Sequence, residues 1–174
     1  MTNFESRLTG GHPNSLGNTV EVVDQVLANP IEFDALFNCY FSADEVVRLR
    51  TSNAMKRVCK ANKALLLPYI DRFIDEIAKI DQASTQWTLA QLFLSLEKEM
   101  SPNQVTKAKE IMKYNLANHS DWIVLNQSIN TLSKWSKKDA DLKEWIKSHL
   151  IRLAKDERKS ISKRAGKMLE MLFG

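Results

Sequence analysis

The chain has 174 residues, with 25 Lys/Arg against 21 Asp/Glu, and is 44% hydrophobic and 26% charged. This length supports one domain with a substantial core. The scarcity of glycine and proline (five and four) favours helices over sheet, and no apolar run reaches bilayer-spanning length or forms a signal core.

Residues 1–18, with Gly10-Gly11, Pro13 and Gly17 among small polar residues, are expected to form a mobile tail. Residues 19–174 are then a single helical domain. A short helix follows Asn18-Thr19 and ends before Asn29-Pro30, and Pro30 opens a second through IEFDALFNCYF. Ser42 is the expected cap of the next helix, which holds Asp44, Val47, Arg48, Thr51, Ala54 and Val58. Pro68 opens PYIDRFIDEIAKI, Ser84 is read as the cap of TQWTLAQLFLSLEKEM, and Ser101-Pro102 starts NQVTKAKEIMKYNLA. Ser120 is the expected cap of DWIVLNQSINTLSKW, Asp139 or Asp141 begins LKEWIKSHLIRLA, and Asp156 begins ERKSISKRAGKMLEML. The short connections make consecutive helices antiparallel. Cys39 and Cys59 fall inside helices and read as buried thiols in a reducing cytoplasm, with no disulfide framework.

A period runs through this series. Thr51, Ala90, Ser128 and Ala165 are separated by 39, 38 and 37 residues, and Met55, Leu94, Leu132 and Leu169 repeat the same spacings four residues on. Two helices per unit at a period near 40 is the mark of a helical solenoid. The stretch SADEVVRLRTSNAM, through Asp44, Val47, Arg48, Thr51 and Ala54, resembles the second helix of a HEAT repeat. Residues 20–172 are similar in layout to small bacterial HEAT-like proteins. Trp87 and Leu125 stand where the later units depart from Arg48. The resemblance implies an all-α, right-handed α-α superhelix of about four helix pairs acting as a binding scaffold. It also implies an Asp44/Arg48 ladder between neighbouring units.

In such a stack the second helices line a concave face. The helical wheel leaves Lys56 on the first of them, Thr88, Gln91 and Ser95 on the second, and Asn126, Asn130 and Ser133 on the third. Lys163 and Lys167 are left on the fourth, with Glu170 beside them. These residues are the expected binding ribbon: uncharged in the middle and basic at the C-terminal end. Such a surface suits a protein or peptide partner.

Charge supplies the alternative. Residues 134–167 hold twelve Lys/Arg and five Asp/Glu, so a nucleic-acid partner at that end is the second reading. Some HEAT-like proteins excise alkylated bases, and Trp87 with Asp121-Trp122 faintly matches the aromatic-plus-carboxylate arrangement of such sites. Against it, the central strip lacks Arg and Lys. Apart from that, no catalytic constellation, metal-ligand pattern or cofactor motif stands out, and His12, His119 and His149 are isolated from one another. The expected protein is a non-enzyme without cofactor.

Overall fold

The computed structural model describes residues 2–174, all helix and turn with no strand among them. The ten α-helices are α1 (Phe4–Leu8), α2 (Thr19–Ala28), α3 (Phe33–Asn38), α4 (Glu45–Asn62), α5 (Ile70–Asp75), α6 (Ala83–Leu96), α7 (Pro102–Asn118), α8 (Trp122–Ser136), α9 (Ala140–Leu153) and α10 (Lys159–Phe173). The chain divides into two compact units, the first ending at Thr88 and the second running Leu89–Gly174. The division falls inside α6, so no linker composition announces it. No helix among the described residues is long and apolar enough to cross a membrane.

In the first unit α4 is the centre, packed against α1, α2 and α3. Its face of Val47, Thr51, Ala54, Met55 and Val58 is fully buried, as the helical period requires. Ser52 is also buried, and its hydroxyl donates to the Tyr40 Oη at 3.1 Å. Asp44, and not Ser42, caps α4 by accepting from the Val46 N–H at 2.8 Å. Ser42 instead donates to Glu5 at 2.6 Å, tying the start of α4 to α1.

That bond belongs to a larger correction. The stretch expected to be a mobile tail contains α1, with Phe4 and Leu8 buried, and a loop wound around Arg50. Arg50 is only 2% exposed. Its guanidinium donates to the carbonyls of Leu8 (2.7 Å), Gly10 (2.6 Å), Ser15 (3.1 Å) and His12 (3.2 Å). A buried charge persists only when its donors are satisfied, and here four peptide carbonyls satisfy them. Gly17 permits the approach: its φ is +50°, and a Cβ there would sit 3.0 Å from the guanidinium.

Rings join α3 to α5. Phe37 meets Phe73 at 5.1 Å and Tyr69 at 4.8 Å between centroids, and Arg72 lies 4.4 Å over the Phe37 ring. Further on, Arg48 donates to the Gln82 Oε1 at 2.6 Å, and Gln82 donates to the Glu45 carbonyl at 3.0 Å. Gln82 stands immediately before α6, so the helix begins one residue ahead of Ser84, which is buried within it.

The second unit is more regular. Ser101 and Gln104 form a reciprocal capping box on α7, with Pro102 in its first turn. Asp121 caps α8 in place of Ser120, accepting from Ile123 and Val124, and Asp139 caps α9. α10 begins after Arg158, whose own N–H donates to Asp156 at 2.9 Å. α8 packs against α7, α9 and α10, and α9 packs against α10. Long-range polar bonds add to this packing: Arg152 to the Leu116 carbonyl at 3.0 Å and Lys109 to Asp139 at 2.6 Å tie α9 to α7, and Arg158 to the Ser120 carbonyl at 2.5 Å ties the start of α10 to that of α8. The four small residues of the recurrence, Thr51, Ala90, Ser128 and Ala165, are all fully buried.

Candidate binding surface of the second unit

The structure separates the residues of the expected ribbon. Thr88, Asn126 and Ser133 are buried, so no open strip passes through them. Their side chains turn inward because the second helices are enclosed on more sides than a wheel drawn for a half-buried helix assumes. α8 is the extreme case: of its residues from Val124 to Ser136, only Gln127, Asn130 and Lys134 escape burial. Lys163 stands five residues after Arg158 just as Asn126 stands five after Asp121, yet Lys163 is exposed. α10 is packed mainly by α8 and α9, whereas α8 has three principal neighbours and a bond to α6. Lys56 is half-buried in the first unit, where burial, then the charge of Arg57, lowers the pKa of its ammonium. Ser95 keeps access to solvent, but its hydroxyl donates to the Gln91 carbonyl at 2.9 Å.

What remains open forms a seam. The Thr131 hydroxyl donates to the Ala90 carbonyl at 2.7 Å, which fixes the middle of α8 against α6. Gln91 and Asn130 flank that bond, one residue from each end of it, and both stay half-exposed. One turn further along each helix come Ser95 and Lys134, both exposed, and one turn back from Asn130 is the half-exposed Gln127. Side-chain amides offer donors and acceptors together, the groups a peptide backbone needs. Gln127 and Lys134 lie outside the expected ribbon; counting in steps of three and four from Asn130 finds them.

The tryptophans differ from one another. Trp135 is buried, Trp87 is half-buried, and Trp122 is 51% exposed at the start of α8. Trp145 stacks on His149, with ring centroids 4.2 Å apart, and Lys113 lies 5.0 Å over the Trp145 ring. A cleft of about 410 Å³ runs between α7 and α9 beside Trp145. Two ion pairs, Lys109 with Asp139 and Lys113 with Glu110 at 2.9 Å, already occupy both of its lysines. The Lys109 ammonium, followed by the Leu142 N–H, holds the Asp139 carboxyl below the usual carboxylate range. Burial, then the charge of Arg152, lowers the His149 pKa. The Asp121 carboxylate serves α8 as its cap, accepting from the Ile123 and Val124 N–H groups. Among the described residues, no three His, Cys, Asp or Glu side chains come together as a metal-binding group. Burial raises the Cys39 thiol to about 11, with Glu5 adding to the effect, so the thiol is inert at neutral pH.

Comparison with protein-family models, with curated proteins and with solved structures finds no match for this chain.

Proposed function

We propose that the protein is a non-catalytic binding module of HEAT-like helix pairs in a right-handed superhelix. It takes an extended peptide or a polar protein surface along the α6–α8 seam of the second unit. The observation that carries this reading is the pair of amides, Gln91 and Asn130, held in register by the Thr131–Ala90 bond. Rigid helices hold the backbones that carry both side chains in place before any partner arrives, so less freedom is lost on binding. The repeat reading is supported by the equivalent helix starts. Asp44, Gln82, Asp121 and Arg158 each directly precede a second helix, at spacings of 38, 39 and 37. The Arg48–Gln82 bond is a link of the kind a HEAT-like ladder implies, while Asp44 is occupied with capping and with Thr9.

The test is a display selection of random peptides against the whole protein, followed by binding measurements with Gln91→Ala/Asn130→Ala. Selected peptides should lose about tenfold in affinity for the double variant, the equivalent of one or two hydrogen bonds. Peptides that bind both proteins alike would remove the seam as the site.

A further inference from the structure

We propose that the second unit also carries a single-stranded nucleic-acid site, formed by the lysine row of α10 with Trp122 at its head. This goes beyond the seam reading and does not depend on it.

Lys159, Lys163 and Lys167 are all exposed. Their spacing of four residues puts them on one side of α10, about 6 Å apart along the axis at 1.5 Å per residue. None of them has a carboxylate within ion-pairing distance among the described residues, whereas Lys109, Lys113 and Arg158 in the same unit are each paired. From Arg158 to Leu169 the chain has five cations and no carboxylate. Like charges at four-residue spacing repel and weaken a helix, and the one carboxylate on α10, Glu170, stands one turn past Lys167 without forming an ion pair, so most of that cost is not recovered within the helix. A polyanion would recover it.

Trp122 narrows the class of polyanion. The Arg158 guanidinium donates to the Ser120 carbonyl at 2.5 Å, which brings the start of α8 beside the start of α10. Trp122 is the first residue of α8 and is 51% exposed, so an open aromatic surface stands at the head of the cation row. A base can stack on such a ring only when it is free of a partner strand, and a single row of ammonium groups matches the backbone of one strand. An acidic polypeptide would use the lysines but gains no comparable return from an isolated indole.

The experiment is fluorescence anisotropy with the whole protein and a labelled oligo(dT) of roughly 12 nucleotides, a length within the span of known single-strand sites. A blunt duplex and a poly-glutamate peptide serve as competitors, and salt is varied. Lys159→Gln/Lys163→Gln/Lys167→Gln should weaken binding at least tenfold at low salt. It should also flatten the salt slope by about two, near 0.7 for each phosphate left without its ammonium. Trp122→Ala should weaken binding about 5- to 100-fold without changing the slope, and Trp122→Phe should restore most of it. Gln91→Ala/Asn130→Ala should leave oligonucleotide binding unchanged, which separates this site from the seam. All the substituted positions are accessible to solvent, and circular dichroism verifies that each variant keeps its helices. The proposal is overturned by the absence of binding at low salt, by unchanged affinity in the triple lysine variant, or by poly-glutamate outcompeting the oligonucleotide.

Discussion

Up to Thr88 the chain carries nine Lys/Arg and eleven Asp/Glu, and from Leu89 onward sixteen and ten. The first unit turns a charge inward: Arg50 is buried and spends its donors on the loop before α2, while Arg72 lies over an aromatic cluster. The second unit turns its charges outward: α7, α8 and α9 are long and capped by side chains, and its excess lysines face water. Their stability therefore rests on different terms. The first relies on a few specific, buried anchors, and the second on regular helices with an enclosed central member. An unpaired surface cation is tolerable where capping and apolar packing already hold the fold, which makes the second unit the place where a charged surface is free for recognition.

The largest test of this contrast is Phe37→Ala. Removing the ring at the centre of the α3–α5 cluster should cost about 3–5 kcal/mol. Hydrogen exchange resolved along the chain should show the loss among residues before Thr88 and spare α7 to α10. Arg50→Ala comes next. Each charged hydrogen bond contributes about 1.5–3 kcal/mol, and water will re-solvate some of the freed carbonyls, so a loss of about 3 kcal/mol is expected. Residues 9–17 should then become the first site of limited proteolysis. If protease still spares that loop in Arg50→Ala, Arg50 is not its anchor.

Smaller effects belong to the second unit. Ser101→Ala removes half of the α7 capping box and should cost about 1 kcal/mol by denaturant titration. Ser133→Ala should do the opposite. The Ser133 hydroxyl is fully buried with no hydrogen-bond partner, so its removal should gain about 0.5–1 kcal/mol and leave peptide binding intact.

The smallest effect is a pH dependence at His149. Its folded pKa lies below its ordinary value, so the unfolded chain binds the proton more readily. The stability it contributes is complete above the ordinary histidine pKa and is lost as pH falls through the folded value. The denaturation midpoint should drop slightly between neutral and mildly acidic pH, and His149→Gln should abolish that component. An unchanged pH profile in His149→Gln would place the proton uptake elsewhere.

Helix starts from residue 19 onward were legible to within about three residues because capping and proline chemistry act over three or four residues. Ser101-Pro102 opens α7 as read, and of the two aspartates read for α9, Asp139 is the cap. Ser42, Ser84 and Ser120 yield the place before the helix to Asp44, Gln82 and Asp121, near neighbours that only the exact path of the backbone distinguishes. The buried stripe of α4 and the four small residues of the recurrence follow from helical period alone, and all of them are buried. The candidate site was less legible. Gln91, Asn130, Lys163 and Lys167 keep access to solvent, whereas Thr88, Asn126 and Ser133 do not. A wheel assigns each side chain a direction but says nothing about how many neighbours a helix has.

The sequence by itself determined the helical class, the order of the helices from residue 19 onward and the basic C-terminal end, because each is set by local propensity, capping and charge. Tertiary structure decided that Arg50 points inward, that the N-terminal segment is held, and that α8 keeps only a narrow open stripe. Those outcomes depend on which groups from distant parts of the chain arrive to satisfy a donor or cover a face. A guanidinium caged by the carbonyls of residues 8–15 is defined by partners some 40 residues away, and no local pattern encodes them.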